Sequence, residues 1–259
     1  MLLISIILGL SIGSFINAAV YRINPALPKE SGVVRSRSIL VGRSLCPRCG
    51  HHLAWWQLVP VLSYLVLRGR CHYCRQSISP VYPLIEIITA ISFAFFYADN
   101  PLAHKLGSLA AGWLILAVLI FIILYDFQRY LILDWAVVLG LAAALFLTAQ
   151  ASSYVVDLIA ALALGLFFGG IYLLSRGKWI GFGDVKLGLF LGMLGGSLTW
   201  LTLFLASWLG ALLGLFLVLF KKKSLKSELP FGTFLGIAAI IVFIWETQIL
   251  NFFQNVLGF

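Results

Sequence analysis

The chain contains four cysteines, and all of them fall in one pattern: Cys46-Pro-Arg-Cys49 and, 21 residues later, Cys71-His-Tyr-Cys74. Two Cys-x-x-Cys turns can set four thiolates tetrahedrally around one zinc ion. Pro47 and Gly50 suit the tight turn that such a knuckle needs. A site closed by four thiolates has no position left for a substrate, so the expected zinc is structural and gives a polar loop a core. Two disulfides are the competing arrangement, and a cytoplasmic location argues against them. His51, His52 and His72 lie beside the thiols and are expected to be solvated or to surround the site rather than to ligate.

The nine acidic residues can be taken one by one. Glu30 and Glu228 belong to polar loops, and Asp99, Asp157 and Glu246 fall near the outer ends of apolar runs. Glu86, Asp126, Asp134 and Asp184 fall near the inner ends, where an ionisable group at membrane depth is costly and usually functional. Asp126 follows the apolar run 106–125, and the dipole of that helix opposes a carboxylate at its C-terminal end. Asp134 precedes Trp135 and is expected to cap the next helix. Asp184 closes Gly181-Phe182-Gly183-Asp184. It either caps a helix or is left open to close approach of a substrate by Gly181 and Gly183. At one membrane face, Asp126 and Asp184 would form a carboxylate pair. Sharing one proton, such a pair can activate a water and protonate a leaving amine.

These groups need a framework, and the composition dictates its kind. Of 259 residues, 62% are hydrophobic and 10% charged, against about half and about a quarter in soluble domains. Continuous apolar runs exclude a soluble enzyme, a disordered chain and a barrel of alternating strands. The expected fold is an all-α polytopic membrane protein with about eight transmembrane helices and a cytoplasmic zinc-binding loop. The apolar runs are 2–20, 81–98, 106–125, 135–148, 155–174, 185–194, 198–220 and 231–250, the fourth and sixth being short for a crossing. The first lacks a basic start and reads as a retained anchor rather than a cleaved signal peptide.

Net charge is +9, and nine basic residues lie between Arg22 and Pro80 against one acid, Glu30. Such a patch could meet nucleic acid. In a membrane protein it marks a cytoplasmic loop near anionic lipid, and no nucleic-acid partner is expected. With the N-terminus outside, 17 of the 18 Lys and Arg residues fall on the inner side and only Lys105 on the outer. Residues 1–21 then form a first helix, 22–80 an inner loop and 81–259 a membrane core. Glycines four apart (Gly9/Gly13, Gly165/Gly169, Gly188/Gly192/Gly196, Gly210/Gly214) are expected to let helices approach closely.

Several motifs in order resemble those of bacterial prepilin peptidases, the type IV leader peptidase/N-methyltransferases of the Gly-x-Gly-Asp membrane aspartic protease class. They are Gly13-Ser14-Phe15-Ile16-Asn17 running into Tyr21-Arg22, the two cysteine knuckles, Leu62-Ser63-Tyr64, Arg68-Gly69-Arg70-Cys71 and Tyr82-Pro83-Leu84-Ile85-Glu86. Gly181-Phe182-Gly183-Asp184-Val185-Lys186-Leu187 and Pro230-Phe231-Gly232 follow. Leu133-Asp134 stands where members commonly carry Pro-Asp. The resemblance implies a bifunctional enzyme of the bacterial inner membrane with its active site at the cytoplasmic face. It would cut the basic leader from type IV prepilins or type II secretion pseudopilins after a glycine. It would then methylate the new N-terminal residue with S-adenosyl-L-methionine. The catalytic aspartates map onto Asp126 and Asp184, with Gly181, Gly183 and Lys186 in the adjoining loop. Methyl transfer maps onto the 22–80 loop, with Glu86 at its membrane end and Arg22 at its start as candidate residues. Glu86 could equally be an ion-pair partner of Arg22 or Arg75.

Two other classes compete on the residues alone. Intramembrane acids and glycine-broken helices also mark ion-coupled transporters, although these acids cluster at one face and no inverted repeat is visible. A zinc-loop scaffold without catalysis is the second. Cleavage of a prepilin separates the enzyme from both.

Overall fold

The computed structural model describes residues 1–23, 43–100, 105–149, 154–220 and 229–257. Lys29, Glu30, Arg35, Arg37, Lys221, Lys222, Lys223, Lys226 and Glu228, which enter the charge count, lie outside them. Among the described residues there is no β-strand, only the isolated bridges Leu45–His52 and Arg70–Ser77. The helices are α1 (Leu2–Ile23), α2 (Leu62–Val66), α3 (Val81–Asp99), α4 (Leu106–Arg129), α5 (Asp134–Thr148), α6 (Tyr154–Ser175), α7 (Phe182–Gly195), α8 (Thr199–Leu219), α9 (Phe231–Ile244) and α10 (Glu246–Leu257).

Each of the eight apolar runs is helical. Five helices are long and apolar enough to cross a membrane, with Phe182–Leu219 taken as one, or six if α9 and α10 count together across their 72° bend. The difference from eight lies in length. α5 has 15 residues and α7 has 14, below the ~20 that a crossing needs. α7 and α8 are separated only by the 3₁₀ turn Gly196–Leu198.

The chain forms two compact units, Met1–Ala94 and Phe95–Phe259. In the first, α1 lies directly on α3. A Cβ on Gly9 would sit 2.5 Å from Ala90 Cα, and one on Gly13 would sit 2.7 Å from Glu86 Cα. Asn17 Nδ2 donates to the Tyr82 carbonyl at 3.0 Å, giving a polar group on α1 a partner that lipid could not supply.

In the second unit α4 is the most enclosed of the long apolar helices, with Ile115, Leu116 and Leu119 fully buried. It packs against α5 and α9, while α6 pairs closely with α7 and α8 with α9. Glycines again set the spacing. Gly112 accommodates the Phe96 ring, Gly140 faces Phe190, and Gly192 lies against the Ala161 backbone. At the end of α7 away from Asp184, Gly196 has φ +46° and faces the Asp157 carboxylate, where a side chain would be both strained and obstructed.

Gly192→Ala should therefore destabilise the protein by about 1–3 kcal/mol, because the added methyl would lie 2.5 Å from Ala161 Cα with no soft neighbour to yield. Gly170→Ala, with nothing within 4 Å of the new methyl, should be neutral or slightly stabilising. Thermal unfolding in detergent compares the two.

Candidate functional site

Asp126 lies in the last turn of α4, which continues to Arg129 before Tyr130 closes it in the left-handed conformation. Only 4% of Asp126 is exposed. Its own helix offers the carboxylate nothing, so the donors come from 107 residues away. Oδ2 accepts the Thr233 backbone N–H at 2.7 Å and the Thr233 hydroxyl at 2.9 Å. Thr233 is in the first turn of α9, where N–H groups lack intrahelical acceptors and the helix dipole favours negative charge. Pro230 occupies the cap position and needs no donor of its own. Gly232 completes the approach: a Cβ there would stand 3.0 Å from Asp126 Oδ2 and 2.9 Å from Ile132 Cδ1.

Asp184 occupies the third position of α7, with Gly181 as N-cap, and its Oδ2 accepts the Gly181 N–H at 3.1 Å. The Asp184 carboxylate thus reaches back over the helix start instead of serving as the cap residue. Gly183 lies against Ile132, 3.0 Å from a Cβ to Ile132 Cβ. Ile132 therefore lies between the two glycine-bearing helix starts, touching Gly232 beside Asp126 and Gly183 next to Asp184.

Asp134 differs from its expected role. The cap of α5 is Leu133, without a side-chain cap bond, and Asp134 instead accepts from Lys186 Nζ at 2.6 Å. Lys186, a residue of α7 rather than of the preceding loop, also lies 4.7 Å from the centre of the Phe182 ring. The pair is mostly exposed and adds little stability. It does direct the nearest lysine to Asp134 rather than to Asp126 or Asp184.

In the first unit the four cysteines are free thiols whose sulfurs all lie within 4.8 Å of one another. Cys46 Sγ and Cys74 Sγ are 4.0 Å apart, near the ~3.8 Å between thiolates that share a tetrahedral zinc. The two knuckles repeat one backbone plan. Gly50 N–H bonds the Cys46 carbonyl, and Arg75 N–H bonds the Cys71 carbonyl. Cys46 N–H returns to His51 and Cys71 N–H to Gln76. Arg75 holds at φ +59° the conformation that Gly50 holds at +70°.

Burial opposes ionisation of Cys71, but the backbone N–H groups of Cys74 and Tyr73, with the thiols of Cys46 and Cys74, outweigh it and lower its pKa to about 7. The N–H of His51 favours the Cys49 thiolate, yet desolvation and the Cys46 and Cys74 thiols drive it up to about 11. Four thiols this close can all ionise only around a cation, and this donor set fits zinc. His51 stacks on Tyr73 at 4.1 Å, and His72 meets Trp56 and Tyr73 edge-on, so both form an aromatic wall around the thiols.

Glu86 is 7% exposed. Its Oε2 accepts the Val61 N–H at 2.8 Å, and the Ser14 hydroxyl also bonds its carboxylate. It therefore joins the loop to α1 and α3. Arg22 lies in the last turn of α1, where a cation complements the helix dipole. Two contributors escaped the sequence reading, Thr233 and Ile132. Gly232 was singled out, but nothing in Thr233's type or spacing ties it to Asp126 across 107 residues.

The framework is an all-helical one with several helices long and apolar enough to cross a membrane, and two carboxylates meet helix starts within its second unit. Residues 7–99 match the model of the bacterial peptidase A24 N-terminal domain. The chain is 32% identical over 274 residues to a Pseudomonas putida prepilin leader peptidase/N-methyltransferase, covering 98% of this chain and 93% of that one. Proteins of the same name from Pseudomonas aeruginosa (31%; 99% and 94% covered) and Burkholderia pseudomallei (35%; 92% and 84% covered) are similarly close. No solved structure matches the chain. The chain belongs to the prepilin leader peptidase/N-methyltransferase family.

Thr233→Val should retain the backbone bond to Asp126 but lose the hydroxyl, lowering peptidase turnover about ten- to a hundredfold, as removal of a hydrogen bond to a charged group would. Thr233→Ser should remain near the parent. Steady-state leader cleavage measures both.

Proposed function

We infer that this protein removes the basic leader from type IV prepilins or pseudopilins and N-methylates the new N-terminus. One observation carries the peptidase assignment. Asp126 and Asp184, 58 positions apart in sequence, come together at one end of the second unit, each accepting a backbone N–H from a helix start.

Asp126, whose Oδ2 already takes two hydrogen bonds, is the better fixed carboxylate, and we assign it the base. It takes a proton from a water whose oxygen attacks the scissile carbonyl carbon. Asp184, carrying the shared proton, donates it to the carbonyl oxygen. As the tetrahedral species collapses, one hydroxyl proton returns to Asp184 as C=O re-forms, the C–N bond breaks, and the proton held on Asp126 passes to the leaving amine. Exclusion of water from the buried Asp126 side strengthens these electrostatic interactions.

The charge distribution supports an inner-membrane location with the N-terminus outside and the aspartates at the cytoplasmic face. There the leader is accessible while the pilin's apolar segment remains in lipid. Cys46, Cys49, Cys71 and Cys74 would hold one structural zinc, whose contribution is to fold the loop. Methyl transfer, with S-adenosyl-L-methionine as co-substrate, belongs to the unit Met1–Ala94. In it Glu86 positions the loop against α1 and α3, and Arg22 marks where the chain enters the loop.

Mass spectrometry of a prepilin incubated with the purified enzyme tests this reading. Asp126→Asn and Asp184→Asn should each abolish cleavage with insertion unchanged. Asp134→Asn should cost only a few-fold, because it releases Lys186 from a solvent-exposed pair. The Asp184→Asn protein should still methylate a pre-cut pilin. Loss of both activities would place both chemistries in one site.

Metal analysis should find one zinc per chain, absent after Cys46→Ser or Cys71→Ser. Acidification protonates the thiols and competes with the metal. Since Cys71 ionises near pH 7 and Cys49 near 11 before metal binds, zinc uptake at neutral pH should release protons. Affinity should fall steeply as pH drops below 7, as a chelator-competition titration would record.

A further inference from the structure

The loop segment between the two knuckles exposes what a soluble surface would cover. Trp55 is 81% exposed, Leu62 61%, Leu65 63% and Val66 72%. All of α2 lacks a buried residue, so this one-turn helix gains nothing from a core of its own. Large apolar groups gathered in one exposed patch mark a contact surface.

Beside this patch lies an open hollow of about 630 Å³ lined by Val66, Arg68, Arg70 and Arg75 together with Cys71 and His72. Balancing the zinc centre does not account for these arginines. Residues 43–85 contain five arginines (Arg43, Arg48, Arg68, Arg70, Arg75) and no acid. One zinc with four thiolates carries two negative charges, which leaves three positive charges without protein partners of opposite sign in the segment. Two of the three arginines around the hollow, Arg68 and Arg75, are also held at positive φ, so backbone conformation fixes where their side chains start.

The position of this surface is set from below. Val61, the residue before α2, donates its N–H to Glu86, in the second turn of α3. The start of α2 is thereby pinned where α3 enters the membrane. A basic hollow flanked by exposed leucine, valine and tryptophan side chains at that level matches an interfacial element, with its apolar groups among acyl chains and its cations at headgroups.

We propose that residues 55–75 form a docking surface for anionic phospholipid of the adjoining leaflet. Arg68, Arg70 and Arg75 receive the headgroup phosphate, and Leu62, Leu65, Val66 and Trp55 enter the acyl boundary. This goes beyond the peptidase and methyltransferase assignment and does not depend on it, since the test reads backbone protection rather than activity.

The test is amide hydrogen exchange on the full, zinc-loaded chain in lipid nanodiscs. One set contains phosphatidylcholine alone and the other phosphatidylcholine with phosphatidylglycerol. Each basic residue at an anionic surface multiplies residence about fivefold, so three arginines should slow exchange over 62–67 by up to about a hundredfold in the anionic discs. Added salt should reverse this. Arg68→Gln/Arg70→Gln/Arg75→Gln should abolish the difference, with zinc content retained. Leu65→Gln, which keeps every charge, should reduce it. Equal exchange in both disc types overturns the proposal. So does slowing in phosphatidylcholine discs on addition of inorganic phosphate, which would indicate a soluble anion, or slowing that requires added prepilin, which would indicate a protein partner.

Discussion

A carboxylate at the lipid-buried end of a helix is tolerated only if something else in the fold solvates it, and much of the second unit follows from that requirement. At the C-terminal end of α4, Asp126 faces carbonyls and an opposing dipole. Its compensation is the start of α9, whose Thr233 gives two hydrogen bonds to one carboxylate oxygen. That contact fixes α9 against α4, requires glycine at position 232, and places Ile132 between Gly232 and Gly183. The same device recurs at Asp184, where the donor is the Gly181 N–H at the start of α7. Both acids thus borrow N–H groups from helix starts, which is how a site in a low-dielectric setting can hold charge.

The first unit meets a different shortage. Much of its loop's apolar surface stays exposed instead of forming a core, and its order comes from two turns that present thiols to one point. Their repeated hydrogen-bond plan shows what a knuckle demands of the backbone: a left-handed residue four positions from the first cysteine. Gly50 meets that demand without strain. Arg75 meets it at a cost of about 1 kcal/mol or more, which the surrounding contacts and a metal can offset. Glu86 then carries this order into the membrane, bonding the loop through Val61 and α1 through Ser14.

What the sequence disclosed follows the range of the interactions involved. The knuckles, the apolar runs and the glycine spacings are local, and each reappears in the structure as a turn, a helix or a close packing contact. The membrane-face acids were also legible, because a charge in an apolar run is conspicuous. Partners were not. Asp134 has the sequence of a helix cap but holds Lys186, and Glu86 gains a backbone amide and a hydroxyl as partners. Neither choice is encoded nearby. Helix extent was less legible than helix presence: hydropathy identifies α5 and α7 as apolar, while only the structure shows that they run 15 and 14 residues.

Those short helices suit a peptidase. α7 begins at Phe182, two residues before Asp184, and ends after 14 residues at a glycine turn, and α5 begins at Asp134 and runs 15. Helices too short to cross leave their polar starts below the level where lipid tails would surround a full-length span. Backbone N–H groups, a carboxylate and the water needed for hydrolysis can then coexist at that depth, because irregular backbone is tolerated where protein or water surrounds it. Under the proposed peptidase assignment, helix length then bears on the site itself, because it decides how far the helix starts that carry the carboxylates stand from the ends of the longer spans.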